Sequence, residues 1–399
     1  MLSFGSAANG IIDTPAAIDA ALLAASTGRS AHDCALVVLH LTMGHDDSAV
    51  LAAVRRRCPT ARIVGCTCAG VIGKEGANES MHAVAVMMVW GEPQELAVAT
   101  TAHMDGSNAA PAAAELARRL LADRPTRPQF VMLLASGIDI DCDGAIAGIE
   151  SELGGETTIF GGTSADNMKG IASYQFLDDG VHDHAAALIG FFDPSLTVHT
   201  QASHGFVPLG VEMTVTAATG NRVHRLDGEP AWSVFTNRLG LTDAATPADT
   251  IPPGAVGEAL SDAEAAEYGD SHLLRVITRR LPDGTLLMPT SAQPGTRLAL
   301  MRRDEERIFR NLDVMMRQIR ESIAGRDVVA VFHADCGARG RLTLDRVAKD
   351  EIVKAMQSPL FPNGNVGPWL GMYGFGEFAR LGGRNRFHNY TTALYVVTR

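Results

Sequence analysis

The sequence predicts an α/β fold: a two-domain architecture of layered mixed sheets, built from repeated strand–helix–strand units. Three observations carry that expectation. An apolar run, a helical stretch and a second apolar run ending in glycine occur in that order three times. After a variable loop, a further apolar strand closes each unit, and a histidine precedes it. Strand–helix–strand units bury sheets under helices, and the closing strands can pair antiparallel, which makes the sheets mixed.

The first unit begins with the run from Ala35 to Leu41, and Asp46 or Asp47 can cap the helix that runs toward Arg57. Ile63-Val64-Gly65-Cys66-Thr67-Cys68-Ala69-Gly70 follows, and His82 opens the closing strand from Ala83 to Trp90. The second unit starts with Phe130 to Leu134 and continues with a helix from about Asp143 to Leu153. Then come the run from Ile159 to Asp166 and, after His184, the closing strand from Ala185 to Phe192. The third has Val328 to Phe332, a helix from about Leu344 to Met356, the run from Leu370 to Glu377, and His388 ahead of a strand from Thr391 to Val397. Gly65 to His82 and Gly371 to His388 each span 17 positions, and Gly161 to His184 spans 23. Such self-similarity marks an internal repeat.

Between the second and third units the texture changes. Leu196 to Thr216 alternates as a strand does, Ala231 to Leu239 reads as a helix, and residues 243–257 have the composition of a loop. Leu273 to Met301 reads as two or three strands around the Pro282-Asp283-Gly284 turn, and Asp304 to Ile323 as a long amphipathic helix. The domain boundary is placed near residue 220, giving domains over 1–220 and 221–399.

At 399 residues with 46% hydrophobic and 20% charged side chains, the chain has the composition of a globular protein. A net charge of −11 argues against nucleic-acid binding, which needs a basic face. The longest apolar runs fall far short of the roughly 20 residues that span a bilayer, and the start lacks a signal-peptide pattern. Six cysteines without C-x-x-C spacing complete no zinc site. The expectation is a cytoplasmic protein without membrane insertion.

Two clusters carry polar chemistry at predicted strand ends. In Cys336-Gly337-Ala338-Arg339-Gly340 the glycines allow close backbone approach, and Arg339 offers a fork for a carboxylate or phosphate. An adjacent arginine would also lower the pKa of Cys336. Gly374, Glu377, His388 and Asn389 follow in the same unit and could converge with it on one cavity. A plainer reading pairs Arg339 with Glu377 and leaves Cys336 and His388 structural. In the second unit Gly161, Gly162 and Asp166 lie in a loop whose backbone amides could bind an anion. Cys336 with His388 as base would make a nucleophilic enzyme.

Taken in order, the motifs starting at Ile63, Gly161, Val223, Cys336, Gly374 and Phe387 resemble the FIST family (F-box and intracellular signal transduction), with its N-terminal and C-terminal domains. The resemblance runs from about residue 30 to 399. It implies a sensory module that binds small ligands such as amino acids, with Cys336, Arg339, Gly340, Gly374, Glu377, His388 and Asn389 shaping the pocket. Some bacterial relatives bind haem and sense nitric oxide, acting on histidine kinases or cyclic-di-GMP enzymes. With no room for such an output segment, the signal would pass to a separate partner.

Overall fold

Three times the chain runs strand, helix, strand, helix, strand, hairpin, strand. In the computed structural model, which describes residues 1–340 and 342–399, the first pass is Ser3–Asn9, Thr14–Ala25, Leu36–Leu41, Asp47–Arg57, Arg62–Thr67, the hairpin Gly70–Gly73 with Gly76–Asn78, and Val84–Trp90. The second is Leu96–Thr101, Ala109–Leu121, Phe130–Ala135, Cys142–Leu153, Thr158–Thr163, the hairpin Gln175–Leu177 with Gly180–His182, and Ala186–Phe191. The third begins with Thr197–Ser203 and resumes after an insertion with Glu305–Ser322, Val328–Cys336, Arg346–Leu360 and Trp369–Gly374. It ends with the hairpin Gly376–Leu381 with Arg384–His388, and Thr392–Thr398. The repeat expected from sequence is therefore real, and each copy is longer than its apolar runs suggested.

The hairpins do not stay with their own units. The first pairs with Trp369–Gly374 of the third, the second with Arg62–Thr67 of the first, and the third with Thr158–Thr163 of the second. This cyclic exchange gives three six-stranded sheets of the same order. Each pairs the second and third strands of a unit in parallel, with the closing strand antiparallel to the second. Three backbone bonds repeat the cycle where the strands cross over. The Ala69 N–H donates to the Tyr373 carbonyl (2.9 Å), Ala165 to Thr67 (2.9 Å) and Phe375 to Thr163 (3.2 Å). Pairing thus links residues on both sides of position 220.

The inner faces of the three sheets share one core that includes Val38, Cys66, Met132, Phe160, Phe332 and Met372. Two helices cover each outer face, with a separate apolar cluster beneath each pair. Strands buried on both faces account for the continuous apolar runs: every residue of Val84–Trp90 is buried. The cap expected at Asp46 or Asp47 forms at Asp46, which accepts from the Ala49 N–H, and Asp304 caps its own helix by accepting from the Arg307 N–H.

The insertion interrupts the third unit between its first strand and first helix. It carries a fourth, antiparallel sheet that includes Phe206–Thr219, Arg222–Leu226, Ala255–Ala259, His272–Arg275 and Arg297–Arg303. Its own core is centred on Met213, Val223, Trp232, Phe235 and Leu298. The 243–257 stretch, expected to be loop, contains the short helix Pro247–Thr250 and part of a strand.

One equivalence needs correcting. Strand register sets Val84, Ala186 and Thr392 in the same place, opposite Leu41, Ala135 and Asp335. The counterpart of His82 and His184 is therefore Tyr390, not His388. Tyr390 shares the left-handed backbone of His184, with φ values of 56° and 48°. His388 instead ends the exchanged hairpin, in register with Glu377.

Candidate functional site

Loops at the C-terminal ends of the parallel strands, the usual ligand end of an open α/β sheet, meet the inserted sheet around a cleft. Its empty volume is about 680 Å³, counted out to its open mouth. The second unit contributes Gly137, Ile138 and Asp139 after its second strand and Met168 and Lys169 after its third. The third contributes Cys336, Ala338 and Phe375, and the insertion adds Ile251, Val276 and Arg279. The wall is mainly apolar, with charge supplied by Asp139, Lys169 and Arg279. Asp139 and Met168 both have positive φ, 48° and 71°. Left-handed backbone costs a methionine about 1–2 kcal/mol, and such strain collects at functional sites.

Behind Cys336 lies an enclosed polar group. Arg339 donates through Nε to Asp335 Oδ1 at 2.8 Å, with both side chains buried. Burial works against the charge on Asp335, but Arg339 and His333 outweigh it and hold the carboxyl below its ordinary value. Glu377 accepts from the Thr391 hydroxyl at 2.6 Å, while its Oε1 is buried without a partner among the described residues. Burial pushes the Glu377 carboxyl well above the usual range, so it is a neutral acid. The His388 Nδ1 lies 3.3 Å from the Tyr268 hydroxyl, and burial lowers that imidazole to about 3, so it is uncharged. Tyr268 comes from the insertion, so this contact and the cleft both lie on the seam between insertion and three-sheet body.

The structure therefore gathers Cys336, Arg339, Glu377, His388 and Asn389 near the seam, but of these Cys336 alone lines the cleft. Asn389 is a clamp: its Oδ1 accepts from the Val276 N–H and its Nδ2 donates to the Phe375 carbonyl. A Cβ on Gly374 would lie 2.5 Å from the Thr163 carbonyl, and one on Gly340 would lie 2.3 Å from Glu79 Oε1, so both glycines permit close packing. Gly161 and Gly162 sit in strand Thr158–Thr163 against Leu133 and Met372, away from the cleft wall.

Three expectations are corrected here. Arg339 pairs with Asp335 and not Glu377, because the tight turn after the strand returns its guanidinium onto that strand's end. Burial raises the Cys336 thiol well above its ordinary value, against the lowering expected from the nearby arginine. The segment that holds Gly161, Gly162 and Asp166, expected to be a loop with amides free for an anion, is strand through Thr163. Its Ser164 and Ala165 amides donate to the Ala135 and Thr67 carbonyls, and the Asp166 carboxylate itself accepts from the amides of Lys169, Gly170 and Ile171. Among the described residues no hydrogen bond joins Cys336 to His388. Sequence reading passed over Asp139, Met168 and Tyr268. A non-glycine left-handed turn has no composition signal, and Tyr268 reaches the site only through the insertion.

The neutral state of Glu377 has a measurable sign. Its folded pKa lies above the unfolded one, so the native protein holds a proton that the unfolded chain releases. That stabilisation is present below the ordinary carboxylate value and is lost as pH rises toward the folded value. Glu377→Gln keeps the shape without the proton. Urea titrations should show the variant gaining on wild type between pH 5 and pH 8, and a gain by wild type would contradict a neutral Glu377.

Haem fits this cleft poorly. No histidine is among its wall residues, and His204, His333 and His388 are enclosed and hold ring-nitrogen contacts of their own. No helix among the described residues is long and apolar enough to cross a membrane.

Comparison with known proteins gives relatives without an assigned activity. Uncharacterized proteins of Mycobacterium bovis and Mycobacterium tuberculosis are each 23% identical, over 96% of this chain and 97% of theirs. Among solved structures, a cyanuric acid hydrolase from A. caulinodans aligns over 100% of this chain and 99% of its own, at 7% identity and a TM-score of 0.40. The profile of the FIST N domain matches residues 35–229 and that of the FIST C domain residues 231–380. The chain belongs to the FIST family, whose domains are associated with signal-transduction sensing.

Proposed function

We propose that this protein is a small-molecule sensor whose ligand occupies the cleft between the three-sheet body and the inserted sheet. The observation that carries the reading is the seam itself. A mainly apolar cleft with a few charged groups, Asp139, Lys169 and Arg279, has the make-up of a ligand pocket. Groups of opposite sign suit a zwitterion, so an amino acid or a similar compound is the ligand class. A ligand held on both sides of a seam favours one arrangement of the two parts, which is what a sensor needs. Its output would go to a separate signalling partner, such as a histidine kinase or a cyclic-di-GMP enzyme.

The test is a thermal-shift screen of amino acids and organic acids. A ligand at 100 times its Kd stabilises the protein by about 2.7 kcal/mol. Ala248, exposed on a short helix at the cleft, can take a larger side chain without disturbing a core. Wild type should gain several degrees with at least one compound, and Ala248→Trp should gain much less. No shift for wild type across the panel, or equal shifts for both proteins, defeats the reading.

A further inference from the structure

The Gly-Cys-Thr-Cys-Ala-Gly segment of the first unit takes no part in the cleft. Its Cys66 points into the core shared by the three sheets, where register makes it the counterpart of Gly162 and Met372. The missing side chain at Gly162 is what admits Met372: a Cβ on it would stand 2.7 Å from the Met372 Cε. Cys66 Sγ lies 3.5 Å from Met372 Sδ and 3.4 Å from His40 Nδ1. Two donors from two neighbouring strands thus flank the Cys66 sulfur, making three donors from three strands. Cys68, two residues on, donates to the Leu41 carbonyl at 3.5 Å.

We propose that His40, Cys66 and Met372 form a binding site for a soft monovalent metal ion, copper(I) or its analogue silver(I).

Donor type is the first argument. Thiolate, thioether and imidazole together select copper(I) over hard ions. Among the described residues no three histidine, cysteine, aspartate or glutamate side chains gather as metal ligands, so methionine is what completes this group. Spacing is the second. Metal bonds of about 2.3 Å to sulfur and about 2.0 Å to imidazole nitrogen, at tetrahedral to trigonal angles, put donors about 3.5–4.0 Å apart. The two contacts made by Cys66 Sγ, at 3.4 and 3.5 Å, reach that separation with shifts of a few tenths of an ångström.

Charge is the third argument, and it selects the valence. The three side chains are at most 1% exposed. A neutral imidazole, a thioether and a thiol are the forms that so enclosed a place tolerates. Binding exchanges the thiol proton for the ion: the S–H bond breaks, the proton leaves to solvent and a sulfur–metal bond forms. One thiolate with one monovalent cation is neutral. A divalent ion would leave a net positive charge in an apolar core, which burial disfavours.

The site is enclosed, so the test loads the full chain during refolding from urea, with silver(I) in chloride-free buffer, followed by desalting and metal analysis. Copper(I) is added in parallel without oxygen against a chromogenic chelator. Wild type should retain one equivalent more than Cys66→Ala, with the other five cysteines common to both proteins. Met372→Leu preserves core volume and should bind at least tenfold more weakly in the competition. Equal retention by wild type and Cys66→Ala overturns the proposal. If Cys66→Ala does not refold, Met372→Leu decides, and an unchanged affinity in that variant overturns the proposal.

Discussion

Replacing Arg339 by methionine should cost about 3–5 kcal/mol of folding stability, the usual loss when one partner of a buried ion pair is removed. Arg339 and Asp335 are 4% and 3% exposed, so little water reaches the carboxylate once the guanidinium is gone. Nearby His333 helps only partly: its Nε2 is 3.7 Å from Asp335 Oδ2 and only 2.8 Å from the Thr392 hydroxyl. The cost therefore belongs to the orphaned carboxylate more than to any large net gain from the pair. That distinction gives the control. Arg339→Met combined with Asp335→Asn removes the charge as well and should recover most of the loss in urea titrations. A single variant within about 1 kcal/mol of wild type, or a double variant no better than the single, would show that Asp335 is not held by Arg339. The expectation also bears on function, because ligand binding lost in Arg339→Met would then report a damaged scaffold. Ala248→Trp separates the two.

Much of the body was legible in the sequence. Strands such as Leu36–Leu41 and Phe130–Ala135 are buried on both faces, so they read as unbroken apolar runs, and the helices between them carry Asp caps. The repeat showed through the glycines at positions 65, 161 and 371. What the sequence hid was the exchange of hairpins. Gly70–Gly73 and Gly76–Asn78 are short and glycine-containing, and the first of them pairs with residues about 300 positions away. No local pattern encodes such a partner. For the same reason Arg339 looked like a ligand-binding group: its guanidinium turns back to Asp335 in a 3₁₀ turn that periodicity does not show. Cys336 was read correctly as lying at a strand end. Glu377 and His388 were read as polar lining, but they are the enclosed cross-strand pair of an exchanged hairpin.

Gly161→Ala should be the most damaging single methyl addition in the body. All three units hold glycine at this position, and a Cβ on Gly65, Gly161 or Gly371 would meet the carbonyl oxygen of the residue opposite it on the neighbouring parallel strand, at 2.1, 2.2 and 3.0 Å. Gly161 adds a second constraint, since its φ of 124° lies where only glycine is comfortable. Its carbonyl also accepts from the Tyr395 hydroxyl at 2.9 Å, which ties this strand to the closing strand of the third unit. Alanine must therefore push against Leu133 in a core that has no slack, and the strand that would move also carries the exchanged hairpin. A loss above about 4 kcal/mol, or no soluble protein, is expected, because overlap with backbone cannot be relieved by a rotamer change. Gly28→Ala is the comparison: its φ of 76° is also positive, but nothing lies within 4 Å of the added Cβ. It should cost only about 1–2 kcal/mol, the penalty of left-handed backbone alone. Urea unfolding of the two variants separates backbone strain from close approach. Equal losses would mean that strand contact does not fix the glycine, and that its recurrence in the three units needs another cause.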